Sequence, residues 1–246
     1  MNWGNITLKQ YQDLSEILGG DSTTIDKARA LLKYLYADRY DNIDDHLVLL
    51  IFNREFEFLM NPPKKESFAV IKKIDTFKNY SISYSLDSMT VAQFMDICNY
   101  DKNIPDRITK IVYVLSALFI PKGKSYNDGY DISSVADELF DIPALQGFAI
   151  CEHLYSVLFK QLKDSYPAVF GYSDDEPEEH EERGYEESAL KPYGMLPYIM
   201  AVASNTNEKY TDIYNWSITH FCYVVSYLII KAKEDEKNRL KWKKTH

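Results

Sequence analysis

Apolar positions recur with a helical period over most of the chain. Leu8, Tyr11, Leu14, Ile17 and Leu18 share one face, Thr7 is placed to cap it, and Gly19-Gly20 ends the run. A second helix is predicted from Thr24, with Ile25, Ala28, Leu31, Leu32 and Leu35 facing one way and Lys27, Arg29 and Lys33 elsewhere. A third covers His46–Leu59, capped by Asp41 or Asp44 and closed by Pro62-Pro63. The period then changes to two. Tyr80, Ile82, Tyr84 and Leu86 alternate with Ser81, Ser83 and Ser85, as on a half-buried strand. Phe68–Ile74 reads as its partner and Asp75–Asn79 as the turn between them. Helical spacing returns with Val91, Phe94, Met95 and Cys98, then with an apolar helix at Ile108–Ile120 between Pro105 and Pro121. The stretch Lys122–Asp131, rich in Gly, Asn, Asp and Tyr, is a loop. A helix pair is expected at Ile132–Phe140 and Pro143–Leu162, and another helix at Tyr193–Ser204. Thr211–Lys244 reads as one long helix, apolar first and basic at its end.

The expected fold class is therefore mainly α: a helical domain with a small β-hairpin insertion at about 68–86 and a long C-terminal helix. Three stretches follow from the charge pattern: a helical domain over 1–172, an acidic linker over 173–190, and a C-terminal helical segment over 191–246. The linker contains Asp174–Glu187, with nine acids and one arginine in fourteen residues. Such a block repels itself and normally stays unfolded. The last helix carries Lys231, Lys233, Lys237, Arg239, Lys241, Lys243 and Lys244, where cations favour the helix dipole.

Composition narrows the function classes. With 246 residues the chain is long enough to bury a core without disulfides or a metal. A net charge of −9 argues against a protein devoted to wrapping nucleic acid. Cys98, Cys151 and Cys222 sit apart in apolar runs, which suits small hydrophobes better than a disulfide framework or a zinc site. The opening MNWGNITLKQ has no basic region followed by an apolar stretch, so no secretory signal is read and synthesis in a reducing cytoplasm is expected. Ile213–Ile230 approaches the length of a bilayer span, but Asn215, Ser217, Thr219 and His220 interrupt it. Its apolar part, Phe221–Ile230, reads as a buried helix, and no membrane association is expected.

Catalytic chemistry finds little support. Gly123-Lys124-Ser125 follows an apolar run, but the first glycine of a phosphate-binding loop is replaced by Leu118, so a surface turn is expected. Cys151, Glu152 and His153 are adjacent, and helical neighbours one and two apart do not face each other. His180 lies among Glu178, Glu179, Glu181 and Glu182 without the fixed geometry a metal needs. Asp41, Asp44 and Asp45 lack the glycine of a calcium loop. No cofactor, metal, catalytic residue or small-molecule substrate is expected. The 20 tyrosines, 12 phenylalanines and 3 tryptophans say more, because aromatic side chains anchor interfaces as well as lining helix seams. Trp242, between Lys241 and Lys243, has little local core to join.

Four stretches together resemble a family of tailed-bacteriophage proteins encoded among head–tail genes, notably in crAss-like phages of Bacteroidales. They are Trp3–Leu18, Met89–Tyr100, Ile120–Asp131 and Asn215–Lys244. The resemblance implies a non-enzymatic virion or assembly protein, made in the host cytoplasm and located in the neck or tail region. One role it implies is a ring subunit joining portal and tail, in contact with copies of itself and other virion proteins. The alternative is a tail assembly chaperone absent from the mature particle. A third reading, from the residues alone, is a nucleic-acid-binding module using the basic helix; in the ring reading, nucleic acid is met only by proximity. For the ring, a heterologous contact is expected between the acidic Asp174, Asp175, Glu176, Glu178, Glu179, Glu181 and Glu182 of one subunit and Lys237, Arg239, Lys241, Trp242, Lys243 and Lys244 of the next. Tyr80, Ile82 and Tyr84 are expected to offer a strand edge to a second chain.

Overall fold

A computed structural model of the chain describes residues 6–40, 42–60, 76–82, 85–171 and 194–245. The architecture is mainly helical, with a small antiparallel sheet and a long C-terminal helix. Helix α1 (Leu8–Gly19) opens on a reciprocal cap: the Thr7 side chain accepts from the Gln10 N–H, and the Gln10 side chain accepts from the Thr7 N–H. Its first turn is stitched to a distant corner, with the Leu8 and Lys9 N–H groups donating to Ile142 and Phe140. Helix α2 (Thr24–Tyr36) is capped by Thr23, and α3 (Asp45–Met60) by Asp44, whose carboxylate accepts from the Leu47 N–H at 3.0 Å. Asp41 and Pro62-Pro63 lie outside the described residues.

Among the described residues, the β-hairpin is placed differently than the alternation predicts, with Thr76–Phe77 of the expected turn forming a strand. Strands β1 (Thr76–Phe77) and β2 (Tyr80–Ile82) flank a two-residue turn in which Lys78 takes φ 49°. Phe68–Ile74 and Tyr84 lie outside the described residues, and Ser85–Ser88 forms a hydrogen-bonded turn. A third strand, β3 (Phe119–Pro121), pairs with β2 through Tyr80↔Pro121, Ser81↔Ile120 and Ile82↔Phe119. Residues expected to end a helix are therefore extended. Pro121 disfavours the helical conformation at Ile120, and the sheet takes up the backbone groups released there.

Helix α4 (Val91–Asn103) and α5 (Arg107–Leu118) form the centre. Ile108, Ile111, Val112, Val114, Leu115, Ala117 and Leu118 are all buried, because α5 is surrounded by α1, α4, β3, α6 (Ile132–Leu139) and α7 (Ala144–His153). The helix beginning at α7 continues through a π-helical segment, Leu154–Phe159, into α8 (Lys160–Ser165). Short α9 (Pro167–Phe170) then precedes α10 (Leu196–Thr206), α11 (Tyr210–Ile213) and α12 (Ile218–Thr245).

The single helix expected over Thr211–Lys244 is thus two, broken at Tyr214–Ser217. The break has a cause in hydrogen bonding. The first N–H groups of a helix have no partner inside it. Those of Val91 and Ala92 donate to the carbonyls of Trp216 and Tyr214, at 2.9 and 3.1 Å, so those carbonyls are engaged outside their own helix. Ser217 then caps α12 by accepting from the His220 N–H at 3.2 Å. Among the described residues, no helix is long and apolar enough to cross a membrane.

Candidate docking surface

Helix α12 has two unlike halves. From Ile218 to Ile229 it packs on α4, α9 and α10, burying Ile218, Phe221, Cys222 and Val225. Beneath its base, a polar tie joins α4 to α5. Gln93 is fully buried; its amide donates to the Ala117 carbonyl at 2.8 Å while its oxygen accepts from the Thr90 N–H at 2.8 Å. Ala117 lies in the last turn of α5, where a carbonyl lacks an intrahelical partner, so one side chain satisfies orphan groups on two helices. The Thr219 hydroxyl donates to Asp87 at 2.9 Å, and the Ile218 N–H to the Met89 carbonyl at 2.8 Å.

From Ile230 to Trp242 every residue of α12 is exposed. Over Lys231–Thr245 the helix carries seven Lys or Arg against three Asp or Glu, a net +4, which leaves −13 on the rest of the chain's −9 total. At 1.5 Å per residue this half spans about 22 Å. Lys237, Arg239, Lys241 and Trp242 all lie on it, Trp242 being 64% exposed, and the backbone of Lys243 and Lys244 continues the helix. Their expected acidic counterparts, Asp174, Asp175, Glu176, Glu178, Glu179, Glu181 and Glu182, lie outside the described residues.

Tyr80 and Ile82 do not form an open strand edge. β2 is the middle strand of three, with β1 on one side and β3 on the other. Tyr80 is buried, and its hydroxyl donates to Glu138 at 2.9 Å; desolvation and that carboxylate push the phenol up to about 12. Tyr80–Ile82 is held within its own chain.

The sequence pattern missed a second feature of α12. Phe221–Ile230 reads as a buried apolar run, yet Tyr223, Tyr227 and Ile230 are 66%, 58% and 53% exposed. Their spacing of four and three residues places them on one stripe, opposite Phe221 and Val225 on a helix turning about 100° per residue. The signal was present: a helix with one docked face has room to bury only half of a continuous apolar run.

Two open clefts flank α11. One, of about 440 Å³, is lined by Ala92, Met95, Asp96, Asn127, Thr211, Tyr214 and Asn215. Asp96 there accepts from the Tyr126 hydroxyl at 2.7 Å, and burial with this carboxylate raises the Tyr126 pKa far above the ordinary phenol range. Asn127 donates to Asn215 across the rim. The other, about 470 Å³, lies beside Met200 and Tyr210. The polar groups at Asp96, Tyr126, Asn127 and Asn215 are occupied with one another, as in a structural network.

The candidate chemical motifs resolve into local structure. At Gly123-Lys124-Ser125 the glycine has φ 79°, the Lys124 N–H donates to Pro121, and the Ser125 N–H donates to Asp128. This is a turn whose serine N–H already faces a carboxylate, and no helix follows until Ile132. Burial pushes the Cys151 thiol up to about 12, which favours its protonated form. Cys98 is exposed on α4 and not part of its apolar face, unlike the buried Cys151 and Cys222. Among the described residues, no group of three or more His, Cys, Asp or Glu is placed to hold a metal ion.

No family model, no curated protein and no solved structure matches the chain.

Proposed function

We propose that the chain is a non-enzymatic structural subunit that works by docking to copies of itself and to other virion proteins, in a ring at the neck or tail of a phage particle. The observation that carries this reading is the exposed distal half of α12. An isolated helix of about 15 residues is marginal in water, and packing usually supplies its stability. A chain that extends such a helix beyond its own core presents it to a partner. The partner's chemistry follows from charge: an arm of +4 on a remainder of −13 is attracted to the body of a neighbouring copy. The virion setting is supported by the sequence resemblance over the same C-terminal stretch.

Quantitative mass spectrometry of purified particles tests the setting. A ring subunit is present in many copies per particle, whereas absence from finished particles but presence in infected cells is the result for an assembly chaperone. The arm supports one second reading, nucleic-acid binding, because the five cations from Lys237 to Lys244 surround an indole. That reading requires affinity for DNA that falls steeply with salt.

A further inference from the structure

We propose that the cationic half of α12 lies antiparallel along the aromatic stripe of α12 in a second copy of this chain. The stripe Tyr223, Tyr227 and Ile230 continues, with the same spacing of four and three, through Glu234, Lys237 and Lys241. This is the 3.5-residue seam by which two helices pair. Its content is divided: aromatic and apolar toward the N-terminal end, charged toward the C-terminal end, where Glu234 is followed by Lys237 and Lys241. A parallel pair sets Lys237 and Lys241 against the same lysines of the partner, so like charges meet along half the seam. Reversing the partner sets those lysines over Tyr227 and Tyr223, with Ile230 near the centre. Ammonium groups are attracted to aromatic faces, and the lysine stems cover apolar surface while their charges stay in water.

The seam is accessible to a partner of this size. Tyr223, Tyr227 and Ile230 are exposed on the side of α12 opposite its buried residues, so a helix laid there does not compete with α4, α9 or α10. The pairing also explains why a water-facing helix surface carries two tyrosines and an isoleucine in register. Because one helix supplies both complementary halves, the fitting occupant is another copy. The contact is isologous and closes at two copies, giving a dimeric building unit; a ring needs a further contact.

The inference rests on the self-association in the reading above, and not on the virion setting, which particle composition tests separately. The test is sedimentation velocity over a concentration series with the full-length chain, a Tyr223→Ala/Tyr227→Ala variant and a Lys237→Ala/Lys241→Ala variant. All four positions are solvent-exposed, so folding is retained, and circular dichroism checks it. The expected result is a wild-type dimer whose dissociation constant rises at least about tenfold in either variant. An equimolar mixture of the two variants recovers association, because the intact lysines of one meet the intact tyrosines of the other. A mixture no better than either variant alone, or a tyrosine variant that associates like wild type, overturns the antiparallel pairing while leaving self-association standing. A wild-type chain that stays monomeric throughout overturns both.

Discussion

The two halves of α12 share one backbone and differ in almost everything that stabilises it. The proximal half rests on buried Ile218, Phe221, Cys222 and Val225, on a Ser217 cap and on the carbonyls lent to α4. The distal half has no buried residue from Ile230 to Trp242. It persists as a helix because the docked half has already met the cost of nucleation, leaving only propagation through good helix formers such as Lys, Glu, Arg and Ala. Such a segment can be kept for presentation to a partner without contributing to the stability of its own fold. Substitutions should therefore separate cleanly along the helix.

The largest difference is expected between Phe221→Ala and Leu240→Ala. Phe221 is fully buried, and its removal should destabilise the chain by about 3–5 kcal/mol in denaturant titration. Leu240 is 48% exposed and should shift stability by no more than about 0.5 kcal/mol. Equal losses would mean that the distal half is packed after all.

Alkaline pH should weaken the buried core, the docked half of α12 included. Burial raises the Cys222 thiol from its ordinary 9.0 to about 12. The folded state favours the protonated thiol, so this contribution is complete below pH 9 and is lost as pH rises toward 12. Tyr34, which desolvation and Asp13 hold at about 12, adds a loss between about pH 10 and 12. The denaturation midpoint should fall over this range, and less steeply in Cys222→Ala; identical slopes would remove Cys222 from the explanation.

Gln93→Ala should cost about 1–3 kcal/mol by leaving the Ala117 carbonyl without its buried donor. Since Gln93 lies beside the Val91–Trp216 tie, amide exchange should accelerate in the proximal half of α12 as well as in α4. Exchange confined to α5 would show that the tie and the seating of α12 are independent. The smallest effect is expected for Ala232→Gly, which should weaken the distal helix locally by about 1 kcal/mol and leave the global midpoint unchanged.

Much of the fold was legible because its helices carry their own boundaries. Thr7 and Asp44 cap helices through a side-chain oxygen where the pattern places them, and Thr23, Asp106 and Asp131, which the pattern did not single out, do the same. Three features were not legible, each because a tertiary partner decided it. Phe119 and Ile120 look like the end of an apolar helix, and only the β2 pairing makes them a strand. Tyr214–Ser217 looks continuous with α12 until α4 takes its carbonyls. The serine alternation around Tyr80 and Ile82 marks a half-buried strand correctly, but says nothing of the strand already on its other side. For the docking surface, the basic positions were visible as charge, whereas Tyr223 and Tyr227 were hidden in an apolar run whose exposed face only the packing defines.

The most direct test of self-docking through the distal helix is native mass measurement of Lys237→Glu/Arg239→Glu/Lys241→Glu beside the wild-type chain. The account predicts a wild-type oligomer and a variant that is monomeric, with unchanged helical circular dichroism and an unchanged thermal midpoint. A variant that forms the same oligomer as wild type, at the same concentration and salt, would contradict it.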